Sequence, residues 1–272
     1  TFTYTYDCGA INTTATFTII DTIAPTIDTE AKDQTVDCDG AGNAAQLAAW
    51  LSSNGGAAAS DICSGVRWTN NYSGLSDGCG ATGNATVTFT ATDSCGNATS
   101  TTATFTIIDT IAPTIDTEAK DNTVDCDGAG NAAQLAAWLS SNGGASASDI
   151  CSGVRWTNNY TGLSDGCGNT GNATVTFTAT DSCGNATSTT ATFTIIDTIA
   201  PTIDTEAKDQ TVDCDGSGNT AALQAWLASN GGASASDICS GVRWTNNYTG
   251  LSDGCGNTGN ATVTFTATDS CG

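Results

Sequence analysis

The sequence predicts an array of small all-β domains, each a β-sandwich with one short inserted helix. Its only prolines, Pro25, Pro113 and Pro201, lie 88 residues apart in the same phrase, Asp-Thr-Ile-Ala-Pro-Thr-Ile-Asp-Thr-Glu-Ala-Lys-Asp. Within each period, threonine alternates with apolar residues over long stretches, which is typical of strands with one buried face. A unit of 88 residues is also a suitable size for one small β domain.

The period predicts four parts of the chain. Residues 1–21 match the closing strands of a preceding repeat, residues 22–109 and 110–197 are two complete repeats, and residues 198–272 are a third, truncated repeat. We expect the sequence to be a window from a longer array, because its last residues fall within a predicted hairpin.

One short helix is predicted in each repeat. In the first repeat, Thr35–Cys38 is predicted as a strand, and Asn43 as the N-cap of a helix over Ala44–Leu51. Leu47 and Trp50 fall three residues apart on one face of that helix. So short a helix is not stable alone in water, and its apolar face is expected to pack on a sheet.

Three further strands are predicted, at Val66–Tyr72, Ala85–Asp93 and Thr101–Ile108. In the last two, alternation places one set of side chains inward: Val87, Phe89, Ala91, Ala103, Phe105 and Ile107. The threonines between them are expected to face water. We call the end of a repeat where the linker arrives its entry end, and the opposite end its exit end.

The charge is strongly acidic and follows the repeat. Each period carries nine acidic and two basic residues, and the whole chain has a formal net charge of −22. Nucleic acid is therefore a poor partner, because phosphate binding requires a basic surface. Divalent cations would relieve the repulsion where carboxylates cluster.

Thirteen cysteines without a single histidine favour disulfides over zinc and indicate an oxidising, extracellular setting. Each repeat has four, and Cys8 is the thirteenth. Strand directions place Cys38 and Cys79 at the exit end, and Cys63 and Cys95 at the entry end. A nine-residue strand spans roughly 30 Å, whereas a disulfide needs Cα atoms within about 7 Å. Of the three pairings within a repeat, this favours Cys38–Cys79, Cys63–Cys95, Cys126–Cys167, Cys151–Cys183, Cys214–Cys255 and Cys239–Cys271.

Two acidic groups are candidate Ca²⁺ sites, because Ca²⁺ binds carboxylate and carbonyl oxygens. The first gathers one aspartate from the linker and two from entry-end loops. It is predicted three times: Asp21, Asp61 and Asp93; Asp109, Asp149 and Asp181; Asp197, Asp237 and Asp269. The weaker candidate is the exit-end loop with Asp37, Asp39 and Asn43. The alternative in each case is that these residues only shape turns.

No catalytic constellation is found, so the chain is predicted not to be an enzyme. Without histidine, and with each aspartate in a turn, no nucleophile and base can be paired. An alternative function is an array of carbohydrate-binding modules that present Trp68 and Tyr72 to sugars. The strand spacing of these aromatics favours packing in the core instead.

Two phrases carry a family resemblance: Thr-Ala-Thr-Asp-Ser-Cys-Gly-Asn, and Thr-Ala-Thr-Phe-Thr-Ile-Ile-Asp-Thr-Ile-Ala-Pro-Thr-Ile. They resemble the closing strands and linker of hyalin-type, immunoglobulin-like bacterial surface repeats. The whole unit is similar to repeats of the giant cell-surface adhesins of flavobacteria, such as SprB-type gliding-motility adhesins.

This resemblance implies tandem immunoglobulin-like β-sandwich repeats, each with one helix and two disulfides, in the stalk of a filament used for attachment or gliding. It also implies export by the type IX secretion system to the outer-membrane surface. The partners would be neighbouring repeats, and an external surface or glycan bound through a tip outside this segment. Membrane attachment would likewise lie outside it. Asp21-Thr22-Ile23 resembles the O-glycosylation sequence of Bacteroidota, which makes Thr22, Thr110 and Thr198 candidate acceptors.

Overall fold

A computed structural model describes residue 9 and residues 13–271 of the chain. The chain divides into two compact units, Thr1–Asp109 and Thr110–Gly272. The first unit holds one repeat and the second holds two, and the other predicted domain boundaries stay predictions. Among the described residues, no helix has the length and apolar character needed to cross a membrane.

The first complete repeat has six strands and one helix. They are β1 (Thr26–Thr29), β2 (Gln34–Asp37), α1 (Ala44–Ser52), a 3-10 turn (Asn54–Gly56), β3 (Ala58–Ser60), β4 (Arg67–Asn70), β5 (Gly83–Thr92) and β6 (Ala98–Ile108). The second repeats this order with β7 (Thr114–Thr117), β8 (Asn122–Asp125), α2 (Ala132–Ser140), a 3-10 turn (Asn142–Gly144), β9 (Ser146–Ser148), β10 (Arg155–Asn158), β11 (Gly171–Thr180) and β12 (Ala186–Ile196).

The third repeat has fewer strands. It contains β13 (Thr202–Thr205), α3 (Thr220–Ala228), a 3-10 turn (Asn230–Gly232), β14 (Ser234–Ser236), β15 (Val242–Asn246) and β16 (Phe265–Asp269). The predicted class is confirmed: these are β-sandwich repeats, each with one short helix. The predicted helix and the predicted strands after it are confirmed in both complete repeats, with β4 shorter than its predicted range.

Each complete repeat is built on a four-stranded sheet in the order β2-β6-β5-β4, or β8-β12-β11-β10. β5 pairs antiparallel with both β4 and β6, whereas β2 pairs in parallel with β6. A second sheet of two antiparallel strands, β1 with β3, was not predicted. Its Ala58–Ser60 strand consists of small residues, whose composition resembles a linker more than a strand.

The core lies between the long hairpin and the helix. The inward positions predicted on β5 and β6 are confirmed, because Val87, Phe89 and Phe105 are fully buried. Trp50 of α1 packs on Phe89 and Phe105 with ring centroids 5.2 and 5.5 Å apart, and its indole N–H donates to the Lys32 carbonyl at 3.0 Å. The aromatic side chains therefore hold the helix on the sheet.

Two predicted strands are absent. Residues 13–21 match the closing strand of a repeat, but they form no strand, and Phe17 is 89% exposed. The remaining residues of the predicted N-terminal part, 1–8 and 10–12, lie outside the described residues, as does Cys8. In the third repeat, residues 210–213 form no strand.

Asn43 precedes α1, as predicted, but does not cap it with its side chain. It is fully buried with a left-handed φ of 50°. Its amide donates to the Asp37 carbonyl at 2.8 Å and accepts from the Asp39 N–H at 3.3 Å. Asn43 therefore fixes the loop between β2 and α1 rather than the first helical turn.

The disulfides join successive repeats, which corrects the predicted pairing within repeats. Cys126 is bonded to Cys239 and Cys167 to Cys271, with Cα atoms 5.8 and 5.5 Å apart. The predicted pairs Cys126–Cys167 and Cys239–Cys271 are therefore wrong. So are Cys63–Cys95 and Cys214–Cys255, whose four sulfurs are free thiols.

Cys126 lies at the predicted end of its repeat, but its disulfide partner belongs to the next repeat. Cys126 lies at the exit end, where its N–H donates to the carbonyl of Ile196, the last residue of β12. The exit end of the second repeat meets the entry end of the third, which carries Cys239 and Cys271. Cys38, Cys79, Cys151 and Cys183 are also disulfide-bonded. The predicted pairs Cys38–Cys79 and Cys151–Cys183 stay predictions.

We call the contact between the second and third repeats the joint, formed by Cys126, Cys167, Cys239, Cys271 and the residues around them. Cys126 and Cys239 are 4% and 2% exposed. The Asn169 N–H donates to the Cys239 carbonyl at 2.9 Å. A side chain at Gly168 would place its Cβ only 2.3 Å from that oxygen. Glycine is therefore required where the two repeats approach most closely.

Candidate metal centre at the repeat ends

Three aspartates meet at the entry end of the first repeat. Asp21 lies in the linker before β1, Asp61 directly follows β3, and Asp93 directly follows β5. One carboxylate oxygen from each lies within 4.8 Å of the other two. The structure therefore brings together the first predicted set of cation ligands.

Backbone hydrogen bonds orient two of these carboxylates and leave one oxygen of each without a partner. Asp61 Oδ1 accepts the N–H groups of Cys63 and Ser64 at 2.9 and 2.8 Å. Asp21 Oδ1 accepts the Ile23 N–H at 3.1 Å. The Oδ2 atoms of Asp21 and Asp61 are buried and accept no hydrogen bond. A buried carboxylate oxygen without a donor is costly unless a cation neutralises it.

Asp93 is held more completely and is 7% exposed. Its Oδ1 accepts the N–H groups of Cys95 and Asn97 at 2.9 and 2.8 Å, and its Oδ2 accepts from Asn97 Nδ2 at 2.8 Å. Desolvation opposes ionisation, but the hydrogen bonds from Asn97 and the Cys95 amide outweigh it, so the pKa of Asp93 is lowered. Asn97 Nδ2 also donates to the Asp21 carbonyl at 3.3 Å, which ties the linker to this loop.

At the joint, the third predicted set is brought together as two pairs that share Asp197, Asp197 with Asp237 and Asp197 with Asp269. Asp237 Oδ1 accepts the N–H groups of Cys239 and Ser240, both at 2.8 Å, and Asp197 Oδ1 accepts the Ile199 N–H at 3.2 Å. The Oδ2 atoms of Asp197 and Asp237 are buried without a partner. One oxygen of Asp197 lies within 4.8 Å of an Asp237 oxygen and of an Asp269 oxygen. The nearby Cys239 and Cys271 sulfurs are in disulfides, so only oxygens could bind a cation.

The middle set is described in part. Asp149 Oδ1 accepts the Cys151 and Ser152 N–H groups at 2.9 and 2.8 Å, and its Oδ2 is buried without a partner. Asp181 is 6% exposed. Its carboxylate accepts hydrogen bonds from the Cys183 N–H and from Asn185 Nδ2, as the Asp93 carboxylate does from Cys95 and Asn97. Asp109 ends the first compact unit, and its place in this set stays a prediction.

These donors fit a hard divalent cation. Ca²⁺ takes six to eight oxygens at 2.3–2.6 Å and tolerates irregular geometry. Three carboxylates provide the charge and part of that coordination, and carbonyls and water would complete it. Sequence reasoning selected these aspartates from strand ends alone. It missed Asn97, whose Asp-Ser-Cys-Gly-Asn spacing is the signal for an aspartate turn.

The weaker candidate, the loop of Asp37, Asp39 and Asn43, uses its polar groups internally. Asp39 Oδ1 accepts the N–H groups of Ala41 and Asn43 at 2.8 and 2.9 Å, while the Asn43 amide is engaged as described above. These contacts explain the residues of the loop without a cation. A cation site there stays a prediction with no geometric support.

The same loops predict a loss of stability in acid. Backbone hydrogen bonds from Asn43, Asn131 and Asn219 lower the pKa of Asp39, Asp127 and Asp215 below the ordinary 3.8. A carboxylate whose pKa is lower in the folded chain than in the unfolded chain stabilises the fold fully at pH values above its unfolded pKa. This stabilisation is lost as the pH falls through its folded pKa. In EDTA, the melting temperature should be nearly constant from about pH 7 to 5 and fall below about pH 4. Asp127→Ala should lower the melting temperature at neutral pH and flatten the acid fall. An unchanged acid profile would contradict this origin.

The aromatic pair considered for sugar binding belongs mainly to the core. Trp68 and Tyr72 are half-buried. Their counterparts in the second repeat, Trp156 and Tyr160, pack against the core cluster of Phe177 and Phe193. No flat, exposed aromatic platform is formed by these residues.

Comparison with known proteins identifies no family. No protein-family model matches the sequence, and no curated protein sequence matches it. Solved structures with local likeness include Drosophila N-cadherin EC1-4 at 12% identity and a TM-score of 0.28, covering 64% of this chain and 50% of that one. The titin I-band fragment I67-I69 matches at 10% identity and a TM-score of 0.26, and the match covers 68% of this chain and 70% of that one. Sidekick-1 immunoglobulin domains 1-5 match at 13% identity and a TM-score of 0.28, and the match covers 69% of this chain and 42% of that one. The chain thus spans half of the N-cadherin fragment, and scores this low carry no functional argument.

Proposed function

We propose that this chain is a load-bearing stalk segment of an extracellular adhesin filament and has no enzymatic activity. The observation that carries the proposal is the pair of disulfides Cys126–Cys239 and Cys167–Cys271, which join one repeat to the next. Tension applied along the chain passes through covalent bonds at this point instead of through the fold. Eight disulfide-bonded cysteines among the described residues support an oxidising, extracellular location.

Calcium at the entry ends is part of this proposal. The linker aspartates Asp21 and Asp197 lie beside loop aspartates of the repeat that each linker enters. A bound Ca²⁺ would join linker and loop, and would remove the repulsion between their carboxylates. The linker would then be stiffer with the ion than without it.

Single-molecule pulling tests the mechanical role. With handles at residues 110 and 272, the oxidised chain can extend only along the path that crosses from Cys126 to Cys239. Reduction returns the 113 residues between these cysteines to the loaded path. At about 3.5 Å per extended residue, the maximal extension should increase by about 400 Å.

The control is the variant Cys214→Ser/Cys255→Ser, which changes only free thiols and should show the same increase on reduction. The variant Cys239→Ser/Cys271→Ser should already reach the longer maximal extension before reduction. Equal extensions of oxidised and reduced wild-type protein would refute the load-bearing assignment.

The resemblance to flavobacterial gliding adhesins extends the proposal to export by type IX secretion and display on the outer membrane. The same resemblance leads us to propose O-linked glycans on Thr22, Thr110 and Thr198. The Thr198 hydroxyl donates to Asp125 Oδ1 at 2.6 Å, a hydrogen bond that O-glycosylation would remove. Intact mass spectrometry of the natively exported protein tests this, since a mass equal to the sequence value excludes the glycans.

A further inference from the structure

The two disulfides of the joint differ in their access to solvent. Cys126 and Cys239 are 4% and 2% exposed, whereas Cys167 is exposed and Cys271 is half-buried. Both bonds join the same two repeats, so the contrast lies within one contact. A reagent dissolved in water therefore meets one of these bonds and not the other.

The buried bond is part of a hydrophobic core. Cys126 and Cys239 belong to the core cluster of the second repeat, together with Trp138 of α2 and Phe193 of β12. Cys239 comes from the third repeat, so that repeat inserts a side chain into the core of its neighbour. Protein interiors are close-packed and contain few voids larger than a water molecule. The Cys126–Cys239 bond is therefore reached only when this core opens.

The exposed bond lies on the loop before β11. Cys167 stands between Gly166 and Gly168, so no side chain of an adjacent residue covers its sulfur. The Thr170 hydroxyl donates to the Cys167 carbonyl at 2.8 Å, which folds the loop back on itself. Gly168 cannot carry a larger side chain, because its Cβ would meet the Cys239 carbonyl. The close approach of the two repeats thus requires a residue that leaves the Cys167 sulfur uncovered.

The same contrast occurs at the exit end of the first repeat. Cys38 is 4% exposed and Cys79 is exposed, and both are disulfide-bonded. Cys151, which has the position of Cys239 in the second repeat, is 6% exposed and also disulfide-bonded. Both complete repeats therefore have one buried and one exposed disulfide cysteine at the exit end.

We propose that Cys167–Cys271 is a site of reversible exchange with small-molecule thiols, while Cys126–Cys239 keeps the two repeats covalently joined. A thiolate attacks the Cys167 sulfur, forms a mixed disulfide and displaces Cys271 as a thiolate. A second small thiol then attacks the mixed disulfide and displaces Cys167. The protein disulfide gains two electrons, and the two small thiols become one disulfide. Their two protons end on Cys167 and Cys271.

The exchange would loosen the joint without separating the repeats. Cys126–Cys239 bypasses its 113-residue segment by itself, with or without the second bond. Loss of Cys167–Cys271 therefore removes one link from the contact and leaves the maximal extension of the chain unchanged. The exchange does not depend on the stalk function, because it follows from access to one sulfur.

Timed reduction of the folded 272-residue protein tests the exchange. The free thiols are first blocked with N-ethylmaleimide, dilute dithiothreitol is added, and samples are alkylated with iodoacetamide for peptide mapping. Dithiothreitol is able to reduce either bond, so access decides the order. Cys167 and Cys271 should be alkylated at least about a hundredfold faster than Cys126 and Cys239, because the buried pair reacts only when the core opens. In urea that unfolds the chain, the two pairs should react at similar rates.

Reversibility is measured on the same material. Replacing dithiothreitol with oxidised glutathione before alkylation should restore the Cys167–Cys271 bond. Equal rates for the two pairs in the folded protein would overturn the proposal, and so would faster reaction of Cys126 and Cys239 or protection of all four cysteines. A Cys167–Cys271 bond that does not form again would overturn the reversible exchange.

Single-molecule pulling after mild reduction and alkylation gives a second measurement. Treated wild-type protein should keep the maximal extension of the oxidised protein. The matched variant Cys126→Ser/Cys239→Ser has only the exposed bond, so the treatment should return the 104 residues spanned by Cys167–Cys271, or about 360 Å. A gain of about 400 Å in the treated wild type would overturn the protection of the buried bond. No gain after complete reduction would refute the stalk function alone. The wild-type peptide map does not depend on the folding of this variant.

Discussion

Replacing Cys239 and Cys271 with serine should lower the free energy of unfolding of the Thr110–Gly272 unit by about 5 kcal/mol. The estimate follows from the 113-residue loop closed by Cys126–Cys239, whose loss restores entropy to the unfolded chain. The second disulfide spans 104 residues of largely the same chain, so its contribution is less than additive.

Urea or thermal unfolding without reductant measures this effect. The matched control is Cys214→Ser/Cys255→Ser, which changes the counterparts of Cys126 and Cys167 one period later, where the thiols are free. That variant should unfold like the wild type. Adding reductant to the wild type should lower its stability at least as much, because reductant also breaks the disulfides of Cys38, Cys79, Cys151 and Cys183. If the control and the joint variant are destabilised equally, the disulfides are not what stabilises the joint.

Calcium should raise the melting temperature by roughly 5 to 10 °C. A ligand present at 100 times its dissociation constant stabilises a fold by about 2.7 kcal/mol per site, and 1 kcal/mol corresponds to about 2–4 °C in a chain of this size. The effect is expected at the entry ends, where buried Oδ2 atoms of Asp21, Asp61, Asp197 and Asp237 lack donors. Mg²⁺ should be less effective, because it requires stricter octahedral geometry.

A double variant gives this prediction a signature that general destabilisation cannot imitate. Asp21→Asn/Asp61→Asn should lower the melting temperature in calcium but raise it in EDTA, because it removes repulsion that only the ion would otherwise relieve. Glu30→Gln/Asp77→Asn is the charge-matched control, since Glu30 and Asp77 are exposed and outside the cluster. Calorimetric titration should find one fewer bound ion in the double variant. If calcium and EDTA give the same melting temperature in the wild type, the site does not bind calcium.

Sequence reasoning could predict what each repeat determines for itself. Alternation over Ala85–Asp93 identified Val87 and Phe89 as core residues because a strand with one buried face needs that pattern. The helix could be located because Leu47 and Trp50 share a face. The pairing of β1 with β3 could not be predicted, because their short sequences have little strand propensity and depend on the surrounding fold.

The disulfides could not be predicted for a different reason. The period shows which cysteines are equivalent, and strand direction shows at which end each lies. Neither shows which repeat provides the partner. Cys126 and Cys239 belong to different repeats, so the pairing depends on how the two repeats meet and not on the sequence of either one. The candidate cation sites could be predicted because Asp61 and Asp93 lie at strand ends within one repeat.

The parallel pairing of β2 with β6 determines how a single repeat resists being pulled apart. β2 receives the chain and β6 passes it on, and the two are aligned from Gln34–Phe105 to Asp37–Ile108. The Cys38 N–H adds a bond to the Ile108 carbonyl at 2.8 Å. A pull on both chain ends slides these strands past one another in shear, so their hydrogen bonds must break together and not one after another as in unzipping. The β2–β6 pair is therefore a force-resistant clamp in the first repeat, and the β8–β12 pair is its counterpart in the second.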